Sequence, residues 1–339
     1  MENETTNKTI KPSVMAELNV KYLGLSLRNP VIVSSSGLTD SVKKIIDAEK
    51  AGAGAVVLKS LFEEQLSFEA GQYQANNDYP EADDYIRNYT RNNSVDQYLT
   101  LIEEAKAAVN IPVIASVNCI SAKDWIDFSG KIEAAGADAL EINVFFLPTD
   151  KDQSSEKQEE LYSELAEKLK HTIHIPISFK LGRQFSNLLN LVDRMYHRKV
   201  EGVVLFNRFY EPDIDIKDLK LVPSEVFSSP TEIRQTLRWV GILSNSVEHV
   251  DIAASTGVHD GESVIKLLLA GASAVQVCSV LYKEGIGHIS SMISELETWM
   301  DQHGFNNIED FKGKLSYRNI PDPTLYERSQ FMKYFSSHH

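Results

Sequence analysis

The residues of this chain best suited to chemistry stand at the ends of apolar runs, where a strand would stop and a loop begin. Lys59 (in VVLKS), Lys180 (in ISFKLG), Asn143 (in LEINV) and Asn207 (in VVLFN) all occupy such places. Lys180 lies on a run that reads as buried, and an unpaired ammonium there is costly. It calls either for a carboxylate partner such as Glu141 or for an anion that appears during a reaction. Lys59 follows the same logic, although a strand-end lysine also reaches water along its own stem. Asparagine is disfavoured in strands, so Asn143 and Asn207 point to ligand contact over plain capping. Small hydroxyl and glycine residues complete the set: Ser34-Ser35-Ser36-Gly37, Ser116, Ser255-Thr256-Gly257 and Cys278-Ser279. In the last two, backbone N–H groups and a helix start are placed to hold a phosphate. Cys278 and Cys119 read as small core residues, not nucleophiles. The set lacks the paired acids of glycoside hydrolysis and any cluster of metal ligands. It suits a planar, hydrogen-bond-rich cofactor whose reduced form is anionic.

The elements that must position these residues form a repeating series. A helix with a glycine or small-residue stop, followed by a short apolar strand, appears at 51–60, 135–144, 199–207 and 270–279. The glycine serves as a left-handed helix cap, and the strand is apolar on both faces. Further apolar runs at 30–34, 111–117, 175–181 and 250–254 make eight strands. Helical stretches at 41–51, 95–109, 156–171, 231–243 and 262–270 lie between most of them. The alternation predicts a parallel sheet, and eight strands predict a closed (β/α)8 TIM barrel with chemistry at the carboxyl ends. In such barrels a phosphate site after strands seven and eight recurs, and those strands carry the 255–257 and 278–279 loops. Gly52-Ala-Gly54 precedes a strand, so it reads as a helix stop and not as a dinucleotide fingerprint. Two connections exceed a turn, 61–94 and 208–230, and excursions of that length are active-site lids or subunit contacts. The expected organisation is a polar tail (1–15), a single barrel domain (16–320) and a C-terminal tail (321–339) whose His338-His339 has no metal spacing.

Composition narrows the class. The 339 residues are 42% hydrophobic, enough for a sizeable core. A net charge of −14 argues against nucleic acid or an anionic membrane surface as partner, although a single pocket keeps its own local charge. Two cysteines without a CxxC pair exclude a cysteine-ligated iron–sulfur cluster and a disulfide framework. No run approaches the length of a membrane span, and MENETTNKTIKPSV lacks a signal-peptide core, so a cytoplasmic protein is expected and the Asn-x-Thr matches at Asn3, Asn7 and Asn88 carry no consequence.

The strand ends, taken in order, resemble the FMN-dependent dihydroorotate dehydrogenase family and the related flavin domain of dihydropyrimidine dehydrogenase. The likeness spans about residues 18–315 and is carried by LGLSLRNPVIVSSSG, GAGAVVLKS, IPVIASVNCISAKDW, GADALEIN, IPISFKLG, LLLAGASAVQVCSVLYKEG and GFNNIEDFKGKLS. It implies FMN at the barrel mouth. Ser35, Ser36 and Gly37 would pass the flavin, Lys59 and Asn143 would lie near the ring, and Lys180 beside N1. The phosphate would rest on Ser255-Thr256-Gly257 and Cys278-Ser279, where the chain departs mildly from the family's Gly-Gly and Gly-Thr. The implied substrate is a small pyrimidine-like or other planar molecule, touched by Asn93, Asn143 and Asn207; a homodimer is the implied assembly. One departure is larger. The family reads Asn-x-Ser-Cys-Pro-Asn, or a Ser variant, and that Cys or Ser takes a proton as hydride leaves for the flavin. Here Asn143 is followed by Val144-Phe145-Phe146-Leu147-Pro148-Thr149. Phenylalanine accepts no proton, which leaves Thr149, Ser94 or another residue of 61–94 as the base. The default expectation is oxidation of dihydroorotate to orotate in pyrimidine synthesis. Its rivals are a flavin enzyme on another substrate lined by Phe145 and Phe146, a non-catalytic flavin- or metabolite-binding barrel, and a flavin-free lyase or isomerase.

Overall fold

The computed structural model describes residues 16–62, 80–119, 122–144, 149–209, 211–247 and 249–327, of which 80–93, 119 and 122–127 by backbone. The chain opens with a hairpin, β1 (Val20–Tyr22) and β2 (Leu25–Leu27), then β3 (Val31–Val33), α1 (Val42–Lys50), β4 (Ala55–Val57) and a short β5 (Leu61–Phe62). Next come α2 (Pro80–Ala108), β6 (Val113–Cys119), α3 (Ala122–Ala134), β7 (Ala139–Val144), α4 (Ser155–Thr172) and β8 (Ile177–Leu181). Then follow α5 (Leu188–His197), β9 (Gly202–Leu205), a second hairpin of β10 (Pro212–Asp215) and β11 (Lys220–Pro223), and α6 (Ile233–Leu243). The series ends with β12 (Asp251–Ser255), α7 (Gly261–Ala270), β13 (Ala274–Val277), α8 (Ser279–Glu284) and α9 (His288–His303).

The nine-stranded sheet runs β4-β3-β13-β12-β9-β8-β7-β6-β5, and β4 also pairs with β6. Eight strands therefore close into a parallel barrel, with β5 prolonging the path of β4 along β6. Each is one of the strands expected from the apolar runs. The closing residues of the repeated helix–strand unit explain its period. Gly52 (φ 106°), Gly136 (φ 92°) and Gly271 (φ 114°) hold the left-handed position three residues before β4, β7 and β13. In the fourth unit Lys199 (φ 65°) holds it before β9, so Gly202 is not a cap. Gly202 lies inside the strand instead, where a Cβ would come within 2.5 Å of Leu23.

That close approach marks how the amino-terminal end of the barrel is sealed. The fully buried Tyr22 and Leu23 of the first hairpin cover it, and the Leu23 N–H donates to Asp251 Oδ2 at the start of β12 (2.7 Å). The outward faces of the strands, such as Leu140, Ile142, Phe179 and Val275, are fully buried beneath the helices. Each such side chain contributes on the order of 2 kcal/mol by leaving water.

One expectation is corrected here. Residues 80–94 were expected to belong to the 61–94 connection, with the helix starting at 95, but lie in α2, which begins well before 95. Pro80 is preorganised for a first helical turn, acidic residues follow it, and neither glycine nor another proline interrupts the run to Ala108. The 208–230 excursion contains the β10–β11 hairpin, which exposes Ile214, Ile216, Leu219 and Leu221. No helix among the described residues is long and apolar enough to cross a membrane.

Candidate functional site

Strand register brings the polar residues of the apolar runs to one place. Ser116 lies opposite Glu141, Glu141 opposite Ser178 and Asn143 opposite Lys180, so all share one face of the sheet. Contacts across the barrel show that this face is the interior. Lys180 Nζ donates to Ser34 Oγ (2.9 Å) and to Gln276 Oε1 (3.0 Å), and lies 3.5 Å from Glu141 Oε1. Gln276 Nε2 in turn donates to Glu141 Oε2 (2.5 Å), which fixes the amide with its oxygen towards Lys180. Lys180 and Glu141 are 6% and 0% exposed, so each would be prohibitive alone and they stand as a pair. Glu141 Oε1 accepts no hydrogen bond, so the ammonium is held loosely on that side.

A second network adjoins it. Asn143 Nδ2 donates to Ser60 Oγ and Ser116 Oγ (both 3.0 Å), Ser60 and Ser116 hydroxyls meet at 2.7 Å, and Ser35 Oγ meets Ser60 Oγ at 2.9 Å. Tyr98 clamps this group from α2, accepting from Ser116 N (2.7 Å) and donating to Ser116 O (2.9 Å). Burial, opposed in part by the Ser116 backbone and reinforced by the Glu141 charge, holds the Tyr98 phenol well above its ordinary range, so it stays protonated.

The other end of the mouth is made of backbone donors. Thr256 (φ 79°) and Gly257 (φ 80°) are both left-handed. Thr256 Oγ1 donates to the Phe206 carbonyl (3.0 Å), which offsets the cost of that conformation for a β-branched residue. A Cβ on Gly257 would stand 2.2 Å from the Ile233 nitrogen, so only glycine fits. The N–H groups of Thr256, Gly257, Cys278 and Ser279 have no backbone acceptor among the described residues. Ser279 Oγ accepts from Ser228 N (3.0 Å), and Ser228 Oγ lies 3.2 Å from His259 Nε2. Burial and the Lys283 charge push the His259 imidazole below its ordinary range. Cys278 and Ser279 are the cap and the first residue of α8, so the donors on that side are the opening amides of a short helix, and those of Thr256 and Gly257 belong to the loop after β12. Burial pushes the Cys278 thiol up, against the Ser36 hydrogen bond and the Lys180 charge, in keeping with a small packed residue and not a nucleophile.

One pocket of about 200 Å³ spans both ends, from Ser34, Ser35, Lys180 and Gln276 past Asn207 to Ser255, Thr256, Gly257, Cys278 and Ser279. Among the expected site residues, Asn143 lies beneath it, bonded to the serines. Ser36 Oγ donates to the Ser34 carbonyl, a Cβ on Gly37 would meet Tyr282 Oη at 2.8 Å, and Lys59 is exposed; none of these lines the pocket. Thr149 is exposed and also lies apart from that lining. Phe145 and Phe146, with the side chain of Asn93, lie outside the described residues. Ser60 stands at a strand end beside Lys59, whereas Gln276 and Tyr98 are residues of this cluster that strand-end reasoning missed. Gln276 had a signal, since it is the one polar residue of AVQV; Tyr98, on a helix, had none. A pocket with free N–H donors at one end and a pinned ammonium at the other fits a long ligand with a phosphate tail and a ring that gains negative charge. No grouping of three or more histidine, cysteine or carboxylate residues fit for a metal occurs among the described residues.

Comparison with known proteins gives the same direction. The family model described as dihydroorotate dehydrogenase matches residues 17–300. The catalytic subunit of dihydroorotate dehydrogenase B (NAD(+)) from Thermoplasma acidophilum is 28% identical over 310 residues, 88% of this chain and 99% of the relative. The protein of that name from Thermoplasma volcanium is 28% identical over 316 residues, 88% and 98% of the two chains. That from Methanocaldococcus jannaschii is 24% identical over 306 residues, 87% and 97%.

Proposed function

The chain belongs to the dihydroorotate dehydrogenase family, and from that premise we propose that it is an FMN-dependent oxidoreductase that converts dihydroorotate to orotate. The observation that carries the reading is the single pocket joining Lys180 to the free N–H groups of the 256–257 and 278–279 loops. FMN, when bound, supplies the two-electron chemistry, accepting a hydride and gaining negative charge on its ring.

The protein's own residues supply the rest. Thr256, Gly257, Cys278 and Ser279 hold the phosphate through backbone N–H groups, as Ser35 and the Asn143–Ser60–Ser116 network border the ring. Lys180 answers the charge that develops on reduction. Its ammonium is already desolvated and fixed by Ser34 and Gln276, so little reorganisation accompanies the step. Glu141 keeps that cation affordable in the oxidised state by its ion pair. Asn207, at the pocket wall, offers its amide to a planar, polar substrate, and Asn143, whose Nδ2 donates to Ser60 and Ser116, has its amide oxygen left for one. A net charge of −14 leaves this anion site as a local exception, which directs small anions to the mouth and not to the surface at large.

A second reading rests on Phe145-Phe146, which stand where the family carries its proton-accepting Cys or Ser. It keeps the flavin and replaces dihydroorotate with another planar substrate. Visible absorbance of the purified protein tests the shared part: an oxidised-flavin spectrum is expected, and a colourless protein that takes up no added FMN overturns it. Anaerobic addition of dihydroorotate then separates the two. Bleaching is expected; a spectrum that stays oxidised favours the second substrate class.

A further inference from the structure

Beside the backbone donors stands a cation that the reading above leaves unused. Arg208 follows Asn207 beyond β9 and lines the same pocket as Thr256, Gly257 and Ser279. Its Nε–H donates to Glu232 Oε2 (3.2 Å) and its Nη1 to the Val226 carbonyl (3.0 Å). A guanidinium offers five N–H donors in a rigid fork, and three of those of Arg208 have no partner among the described residues.

Glu232 orients this guanidinium without neutralising it. The same Oε2 also faces Arg183 Nη2 at 3.6 Å, so one carboxylate serves two guanidiniums. The other oxygen, Oε1, accepts from Ser229 N (2.7 Å). The anchors of Arg208 are also parts of the cradle. The Glu232 carbonyl carbon would lie 2.8 Å from a Cβ on Gly257, and two residues beyond Val226 the Ser228 N–H donates to Ser279 Oγ. A largely desolvated guanidinium, 20% exposed and fixed at two points, thus borders the free loop amides. Its remaining fork matches an oxyanion better than any other ligand class.

We propose that Arg208, aimed by Glu232 and the Val226 carbonyl, is the side-chain cation that grips the phosphate monoester of the bound FMN. The assignment rests on the flavin reading of this pocket and adds a charged, directional donor to its backbone ones. It also gives a reason why the chain tolerates Cys278 and keeps one glycine where the family pattern has more: part of the grip has passed from the loops to a side chain.

Riboflavin, which has the ring and ribityl chain of FMN but no phosphate, is the discriminating probe. Titration of flavin-stripped protein, followed by quenching of flavin fluorescence, should show wild type preferring FMN. R208Q should lose about 10- to 100-fold in FMN affinity, the scale of a charge-assisted hydrogen bond, with riboflavin affinity unchanged as the control for folding. R208K, which keeps the charge but not the fork, should fall between. Added salt should weaken FMN binding by wild type more than by R208Q. Unchanged FMN affinity in R208Q overturns the proposal, as does an equal loss for both flavins, which would place the guanidinium on the ring or on the fold. Wild-type protein that binds neither flavin overturns the flavin reading itself, and this assignment with it, before any variant is made.

Discussion

A buried lysine has to be explained by what it faces, and Lys180 faces three things at once: a serine hydroxyl, an amide oxygen and a carboxylate. Sequence reasoning left a structural ion pair and a catalytic cation as alternatives; the geometry shows the ion pair and also leaves the ammonium at the pocket, as the proposed role requires. Glu141 makes burial of the ammonium tolerable, while Ser34 and Gln276 hold it at the pocket. The two roles separate by mutation. Glu141→Leu leaves an unpaired buried cation and should cost about 3–5 kcal/mol, read from the urea midpoint. The double variant with Lys180→Met should recover most of that loss; if the double is as unstable as the single, the pair is not what Glu141 provides. Lys180→Ala should slow anaerobic flavin reduction about 100-fold or more, the scale of losing one preorganised electrostatic group, with a much smaller effect on FMN affinity. Reduction at the wild-type rate in stopped flow would remove Lys180 from the chemistry. Lys59, given the same logic at the outset, is exposed and makes no such contacts among the described residues. A lysine two residues past a strand and a lysine one residue inside a strand look alike in sequence, and only the strand boundaries separate them.

Among the elements, the loop after β12 is the most constrained. Thr256 and Gly257 adopt left-handed conformations in succession, and Gly257 packs against the start of α6. Gly257→Ala adds both a strained φ and a backbone collision, so it should cost about 2–4 kcal/mol and lower flavin retention; a thermal midpoint equal to wild type would show that the loop yields freely. The β10–β11 hairpin lies at the other extreme. Its Ile214 and Leu221 are cross-strand partners and are 61% and 72% exposed, an arrangement expected of a surface that meets another chain. Ile214→Asp with Leu221→Asp should leave the thermal midpoint close to wild type, because neither side chain packs in the core; a large loss would show that the hairpin supports the fold. The hairpin's place after the sixth strand was visible in sequence as an excursion too long for a turn. The same reasoning failed for 80–94, because residues suited to a surface loop are also suited to the exposed face of a helix.

At the scale of the whole molecule, three tyrosines tie stability to pH. Burial holds the phenols of Tyr22, Tyr98 and Tyr162 above their ordinary value of 10.0, with Glu141 adding to the effect at the first two. Below that pH both folded and unfolded chains keep the protons, so stability is unaffected. Above it the unfolded chain releases protons that the folded chain retains, and stability falls by up to about 1.4 kcal/mol per pH unit for each tyrosine. Urea midpoints should therefore be level up to about pH 10 and decline beyond it, with tyrosinate absorbance rising together with unfolding. Titration of all the tyrosines before unfolding would contradict the burial argument. Eight apolar runs separated by helical stretches made the strand–helix alternation of a parallel barrel legible, because each strand and each helix stop is a local consequence of hydrophobic period and a small or glycine residue. The same strand ends named the 255–257 and 278–279 loops, Lys180 and Asn143, since polar residues on apolar runs are conspicuous in one dimension. What only the tertiary structure decided is which of them meet. Gln276 joins Lys180 to Glu141 across the barrel, Tyr98 reaches Ser116 from a helix, and Arg208 is tied through Glu232 to the backbone beside Gly257. Those contacts depend on register and closure around the barrel, and no spacing along the chain encodes them.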